Sequence, residues 1–310
     1  MSREPAAGRG RPLPLEGQGD GGTGVGRNPG AGVGRAAATR FARGGANPRR
    51  PLAAANWKMH LLREEARAFC AALRAAPPTP GADAVICPSL PLLDTVVQTL
   101  AGSELEVGGQ DLHPEDAGAH TGDVSGAQLA DAGCRWAIVG HSERRRDHGE
   151  DDALVARKLA AAVRHGLRPI LCLGETRDER RAGQTFAVLD RQLTAAFEVG
   201  WGRPLPGAAA RSARGGGVIA YEPVWAIGTG DVATPEQAQE AHAFLRARVA
   251  ALGSEALATS LRLLYGGSVK PDNAAELIAQ PDVDGFLVGG ASLDAGKFLA
   301  IIHACGAARR

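Results

Sequence analysis

Residues 218–264 read VIAYEPVWAIGTGDVATPEQAQEAHAFLRARVAALGSEALATSLRLL. A short apolar run, Val218–Tyr221, is halted by Pro223 and followed by a loop carrying Gly228 and Gly230. Thr234-Pro235-Glu236 then supplies an N-cap, a proline at the first helical position and an acid in the first turn. Pro235–Leu252 has the Ala-rich texture and apolar period of a helix, and Arg262–Leu264 is a second short apolar run. Strand, helix and strand in this order form one βαβ unit, with parallel strands and a right-handed crossover.

The same unit recurs in both directions. Further strands are predicted at Leu52–Asn56, Ala84–Cys87, Leu105–Gly109, Trp136–Val139, Pro169–Leu173 and Asp284–Val288, with helical patterns such as Arg63–Ala75, Asp151–His165, Thr185–Glu198 and Asn273–Ala279. Eight units in about 260 residues suit a closed sheet rather than an open one, because (β/α)8 barrels occupy about 250 residues as one domain. The expectation is an α/β protein, a single (β/α)8 barrel over residues 51–310.

Residues 1–50 differ. They hold 13 Gly, 9 Arg, 3 acids, no Lys and a single aromatic, Phe41. No strand or helix period appears, so too little apolar surface is available to offset the entropy of ordering. This segment is expected to be a disordered extension. It is Arg-rich and acid-poor like a targeting peptide, but it has one Ser and no clear amphipathic face. Its local charge of +6 leaves −5 on the remainder, within a net charge of +1. A mildly acidic barrel does not suit nucleic acid. No apolar stretch approaches the roughly 20 residues of a membrane helix, and no compact secretory signal opens the chain. Cys70, Cys87, Cys134, Cys172 and Cys305 are scattered without a C-x-x-C pair, as in reduced cytoplasmic proteins.

The chain uses 31 Arg but only 4 Lys, 4 Asn, 4 Trp, 2 Tyr and 2 Met. Its rare residues therefore mark places where a particular chemistry is needed. In a (β/α)8 barrel those places are the loops after the strands. After the first strand comes Asn56-Trp57-Lys58-Met59-His60, where a compact ammonium has been kept against the general drift to Arg. After the fourth comes Gly140-His141-Ser142-Glu143-Arg144-Arg145. A histidine opening a short helix can polarise a carbonyl, and the positive helix end favours its neutral form. Zinc fits poorly there, since His141 and Glu143 lack i, i+4 spacing and no third ligand is near.

After the sixth strand comes Tyr221-Glu222-Pro223-Val224-Trp225-Ala226-Ile227-Gly228-Thr229-Gly230. A carboxylate at the end of a buried strand is costly unless paired or functional, and a general base provides the function. The stiff Pro-Val-Trp leading to an apolar, Gly-bearing tip has the makeup of a hinged lid. Gly228–Ala233 matches G-x-G-x-x-A in form, but Pro223 ends the strand well before it, so the dinucleotide context fails. After the seventh and eighth strands come Tyr265-Gly266-Gly267-Ser268 and Gly289-Gly290, turns whose backbone N–H groups can approach a phosphate. Residue chemistry alone thus reaches a phosphate-binding barrel with a Glu base and a His electrophile, suited to proton abstraction beside a carbonyl.

N-W-K-M, G-H-S-E-R-R, Y-E-P-V-W-A-I-G-T-G, Y-G-G-S-V and V-G-G-A-S-L, in this order from about Pro51 to Ile302, resemble the triose-phosphate isomerase family. The resemblance implies a TIM barrel that interconverts dihydroxyacetone phosphate and D-glyceraldehyde 3-phosphate through an enediol(ate), without metal or other cofactor, in cytoplasmic glycolysis and gluconeogenesis. It implies that Glu222 is the base, His141 the neutral electrophile, Lys58 a stabiliser of developing negative charge and Glu143 a supporting acid. Asn56 and Lys58 would line the substrate site, and Gly228, Ser268, Gly289 and Gly290 would hold the phosphate. Pro223, Val224, Trp225 and Ala233 would belong to the lid, latched by Tyr265. Family members are usually homodimers, in which the Gln110–Ser125 loop inserts into the partner and brings Thr121 beside the partner's site. The chain departs from the family pattern at Ala55, His60, Asp123 and Asp231-Val232, none of which is a proposed catalytic group. Another phosphate-handling barrel would need a second substrate or cofactor motif, and a scaffold barrel would have lost Lys58, His141 or Glu222.

Overall fold

The computed structural model describes residues 49–76, 79–201, 216–227 and 232–308. Eight parallel strands close on themselves in sequence order: β1 (Leu52–Asn56), β2 (Asp83–Cys87), β3 (Glu106–Gly109), β4 (Trp136–Val139), β5 (Arg168–Leu173), β6 (Val218–Tyr221), β7 (Arg262–Tyr265) and β8 (Gly285–Val288). Closure is made by β1 and β8, with Leu52 opposite Gly285 and Ala55 opposite Val288. Gly285 has φ +140°, and a Cβ there would lie 2.0 Å from the Leu52 carbonyl oxygen, so a side chain would force the seam apart.

The strands read as unbroken apolar runs because both faces are covered. Leu52, Ala54, Val85, Cys87, Trp136, Ile138, Ile170, Cys172 and Val218 belong to the cluster filling the barrel, while Ala53, Ala55, Ile86, Ala137, Val139, Leu171 and Ile219 join the larger cluster beneath the helices. The outer ring is α1 (Arg63–Ala75), α2 (Leu93–Leu100), α3 (Gly126–Asp131), α4 (Ser142–His148), α5 (Asp152–Arg164), α6 (Arg177–Arg181), α7 (Thr185–Glu198), α8 (Pro235–Leu252), α9 (Glu255–Ser260), α10 (Pro271–Ile278) and α11 (Ala295–Ala307). The start predicted for α8 is as read: Thr234 accepts from the Gln237 N–H, Gln237 returns the bond, and Pro235 is the first helical residue. α10 starts two residues before its predicted Asn273, because Asn273 instead caps it, accepting from the Lys270 N–H at 2.8 Å.

The predicted boundary between extension and barrel shifts. Arg49 and Arg50 fall on the extension side by composition, yet both dock on the barrel's N-terminal face. Arg49 donates to Asp284 at 2.8 Å and to the Thr259 carbonyl, and Arg50 pairs with Asp83 at 2.7 Å. Asp284 is fully buried and also takes Arg246 at 2.7 Å and the Leu263 N–H. A buried carboxylate needs such partners, and the barrel recruits one from upstream of its first strand. Residues 1–48, the rest of the expected extension, lie outside the described residues. All five cysteines are buried and free. Burial pushes the Cys70 and Cys134 thiols up to about 12, which leaves them unreactive.

Candidate active site

The C-terminal ends of the strands surround a cleft of about 870 Å³ lined by Asn56, Lys58, His141, Glu143, Glu222, Ser268, Gly289 and Gly290, among others. Every one follows or ends a strand, so five separate chain segments, after β1, β4, β6, β7 and β8, are brought together by the closure of the sheet. Gly228, the remaining predicted phosphate ligand, lies outside the described residues, as does Asp231.

Glu222 follows β6 and is 2% exposed. Its Oε1 lies 2.9 Å from His141 Nε2, and its Oε2 accepts the Ser142 N–H at 2.9 Å. Burial would raise its pKa, but the charge and hydrogen bond of His141, the Ser142 N–H and the Lys58 charge outweigh burial and hold it below its ordinary value. Glu222 is therefore a carboxylate, ready to accept a proton. Its place is set by small neighbours: a Cβ on Gly174 would fall 1.7 Å from the Glu222 carbonyl oxygen.

His141 is the N-cap of α4, and its Nδ1 accepts the Glu143 N–H at 3.2 Å. With Nδ1 occupied as an acceptor, the proton of the neutral ring sits on Nε2 and faces Glu222. Burial pulls the His141 pKa down, while the Glu222 charge and hydrogen bond push it up and prevail. If Glu222 turns towards another group its share of that push disappears, and burial, the Lys58 charge and the helix N-terminus then favour the neutral ring against the Glu143 charge alone.

Lys58 lies opposite, with Nζ 2.6 Å from Glu143 Oε1. Its φ is +53°, a left-handed value that costs a lysine about 1–3 kcal/mol. The strain is met by side-chain hydrogen bonds to its own backbone. Asn56 Oδ1 accepts the Lys58 N–H at 3.0 Å, and the Gln110 amide donates to the Lys58 carbonyl at 2.9 Å. Gly289 faces Lys58 across the cleft, where a Cβ would reach Lys58 Cε only at ordinary contact, 3.4 Å. Gly290 begins a 3-10 turn, whose first N–H groups have no acceptor within the turn.

The segment after Glu222 is held by a residue that sequence reading missed. Glu175, fully buried after β5, accepts from the Tyr221 hydroxyl at 3.2 Å and from Trp225 Nε1 at 2.9 Å, and pairs with Arg180 at 3.1 Å. The Arg180 guanidinium also lies 4.3 Å from the Trp225 ring centroid. Pro223 precedes the 3-10 turn Val224–Ala226, and Ser268 Oγ donates to the Ala226 carbonyl. Tyr265 is buried. Its phenol is pushed up to about 12 by burial, eased by the Ala233 backbone N–H. Ser142, Gln110 and Glu175 were legible only as polar residues after strands, and no residue-type rarity marked them.

The Gln110–Ser125 arm leaves β3 and is pinned at its base by the His113 N–H to the Val124 carbonyl at 2.7 Å. Residues 115–123, Thr121 included, are exposed. Among the described residues, His113, His120 and Asp123 on this arm are the group that could gather round a cation, within 4.8 Å of one another; none of them lines the cleft.

Comparison with known proteins agrees with this geometry. The family model described as Triosephosphate isomerase matches residues 51–305. A protein named triosephosphate isomerase from Xanthomonas oryzae pv. oryzae (strain PXO99A) is 51% identical over 259 residues, covering 84% of this chain and 99% of the relative. A protein of the same name from Moorella thermoacetica is 50% identical over 258 residues, covering 82% and 98%. Another, from Stenotrophomonas maltophilia (strain K279a), is 51% identical over 259 residues, covering 84% and 99%. With eight parallel strands, a cleft at their C-terminal ends and a match from residue 51 to residue 305, the chain belongs to the triosephosphate isomerase family.

Proposed function

We propose that this chain interconverts dihydroxyacetone phosphate and D-glyceraldehyde 3-phosphate in glycolysis and gluconeogenesis, with Glu222 as the base. The observation that carries the reading is the buried, ionised Glu222 carboxylate 2.9 Å from His141 Nε2 at the floor of the cleft. Glu222 exchanges its His141 and Ser142 contacts for the substrate and takes the proton from one carbon. His141 donates its Nε2 hydrogen bond to the carbonyl oxygen as negative charge develops there, and the proton returns to the neighbouring carbon. The Lys58 ammonium stabilises the same charge, steadied by Glu143, and Asn56 completes that wall. Ser268, Gly289, Gly290 and Gly228 bind the phosphate through backbone N–H groups.

Pro223, Val224 and Trp225 form one hinge of the lid and Ala233 the other, with Tyr265 as the latch. The Glu175 contacts to Tyr221 and Trp225 support this reading, because they can hold the lid's first hinge in a defined position. Closure excludes water, which protects the enediolate from losing phosphate.

The working form is a cytoplasmic homodimer joined through the Gln110–Ser125 arm, a barrel preceded by the extension of residues 1–48. Support comes from the exposed Met59 and Leu90, at 93% and 47%, which line a small hollow beside that arm. Among the described residues no helix is long and apolar enough to cross a membrane. The assay is conversion of glyceraldehyde 3-phosphate to dihydroxyacetone phosphate without added metal or nucleotide; absence of turnover by folded protein refutes the reading.

A further inference from the structure

One side-chain amide joins three strand ends beneath the cleft. Gln110 is the first residue after β3, and its Nε2 donates to the carbonyls of Lys58 and Cys87, both at 2.9 Å. Cys87 is the last residue of β2, and its carbonyl also receives the Trp57 N–H at 3.1 Å. Lys58 lies just beyond β1 with φ +53°, and Asn56 holds the other side of its backbone. Two carbonyl oxygens converge on one nitrogen, so the group between them must donate two protons. An amide NH2 does so, and an ionised carboxylate, which only accepts, cannot.

We propose that Gln110 is a positioning residue for the reaction, acting through Lys58. By holding the Lys58 carbonyl it keeps the backbone in the left-handed region from which the side chain enters the cleft between Glu143 and Gly289. Without that bond the Lys58 φ relaxes to an ordinary negative value, and the ammonium leaves the line it needs to meet the substrate's negative charge. A displacement of about 1 Å is enough to matter at such a site. Because Gln110 also starts the arm, the arm's base and the Lys58 backbone are one hydrogen-bonded unit. The inference rests on the reading of Lys58 as the group that stabilises the substrate anion.

The test uses the full chain with Gln110→Met, similar in volume but without donors, and Gln110→Glu. Steady-state isomerase kinetics are read beside melting curves. Gln110→Met is expected to lower kcat/KM at least tenfold in protein that is folded at the assay temperature. KM rises more than kcat falls, since the ammonium contacts the anion before and during reaction. Gln110→Glu is expected to be impaired when its carboxyl is ionised, and its kcat/KM relative to wild type rises as pH falls from about 7 to about 4.5, towards the ordinary carboxyl value of about 4.3, because a protonated carboxyl can donate to one carbonyl. A residue that merely supports the fold lowers the melting temperature and leaves that ratio flat. A loss smaller than tenfold in Gln110→Met, or a flat ratio in Gln110→Glu, overturns the proposal. If Gln110→Met does not fold, the Gln110→Glu ratio decides. An inactive wild-type chain refutes the isomerase reading instead.

Discussion

His141 Nε2 and Glu222 Oε1 lie 2.9 Å apart, while the N–H of Ser142, the very next residue, holds the other oxygen of the same carboxylate at 2.9 Å. The proposed base and the proposed electrophile are thus each other's partner, and each lends the other part of its pKa shift. His141 holds Glu222 down, and Glu222 holds His141 up. Two buried titratable groups this close lose protons as a pair, so any pH profile reports the pair.

Replacing His141 by Gln removes the charge that does most to depress Glu222, leaving the Ser142 N–H and the Lys58 charge against burial, so the Glu222 pKa rises. The acid limb of kcat/KM is therefore expected to move to higher pH, with kcat lowered by about 10²–10³-fold for the lost electrophile. A pH–rate profile of the folded variant checks both, and an acid limb that stays in place contradicts the coupling.

Gly174→Ala tests how tightly the base is placed. The new methyl meets the Glu222 carbonyl oxygen at 1.7 Å, so the backbone at residue 222 must shift. A loss of about 10²-fold in kcat, with a stability loss of about 1–3 kcal/mol, is the expected outcome. Kinetics and melting of the same preparation measure the two effects.

These two cases also show how far sequence reading reached. The strands were legible within a residue or two, because burial on both faces leaves unbroken apolar runs such as Val218–Tyr221. Glu222, His141 and Lys58 were legible as cleft residues because of their places: a costly carboxylate and a rare lysine at strand ends, and a histidine opening a short helix. Glu175, Ser142 and Gln110 were not, since their importance lies in which atoms they meet across the barrel, at sequence separations that no local pattern encodes. Arg49 was misassigned for the same reason: its partner Asp284 is 235 residues away.

Arg49 is expected to stabilise the barrel. A chain beginning at residue 49 should melt with the full chain, whereas one beginning at residue 51, or Arg49→Ala, should lose about 1–3 kcal/mol. Asp284 keeps Arg246, so the loss stays below that of a wholly unpaired buried charge. For a barrel of this size that is a fall of about 2–12 °C in Tm. Equal melting of all forms counts against the ion pair.

His242, fully buried on α8, has its pKa lowered to about 4 by burial. The unfolded chain takes up this proton below about pH 6.5 and the folded chain only near pH 4, so stability is full above pH 6.5 and is lost as pH falls between the two values. The loss amounts to about 3 kcal/mol. Denaturant melts across that window should slope upwards with pH in the wild type and more weakly in His242→Gln; equal slopes contradict the assignment.

The central claim is that a single carboxylate, Glu222, moves the proton. Glu222→Asp keeps the charge and withdraws it by about 1 Å, so steady-state isomerisation by this variant, melted alongside the wild type, tests the claim most directly. The account predicts an unchanged fold and a kcat lowered by at least about 10²-fold. A folded Glu222→Asp enzyme with near-wild-type kcat would contradict it.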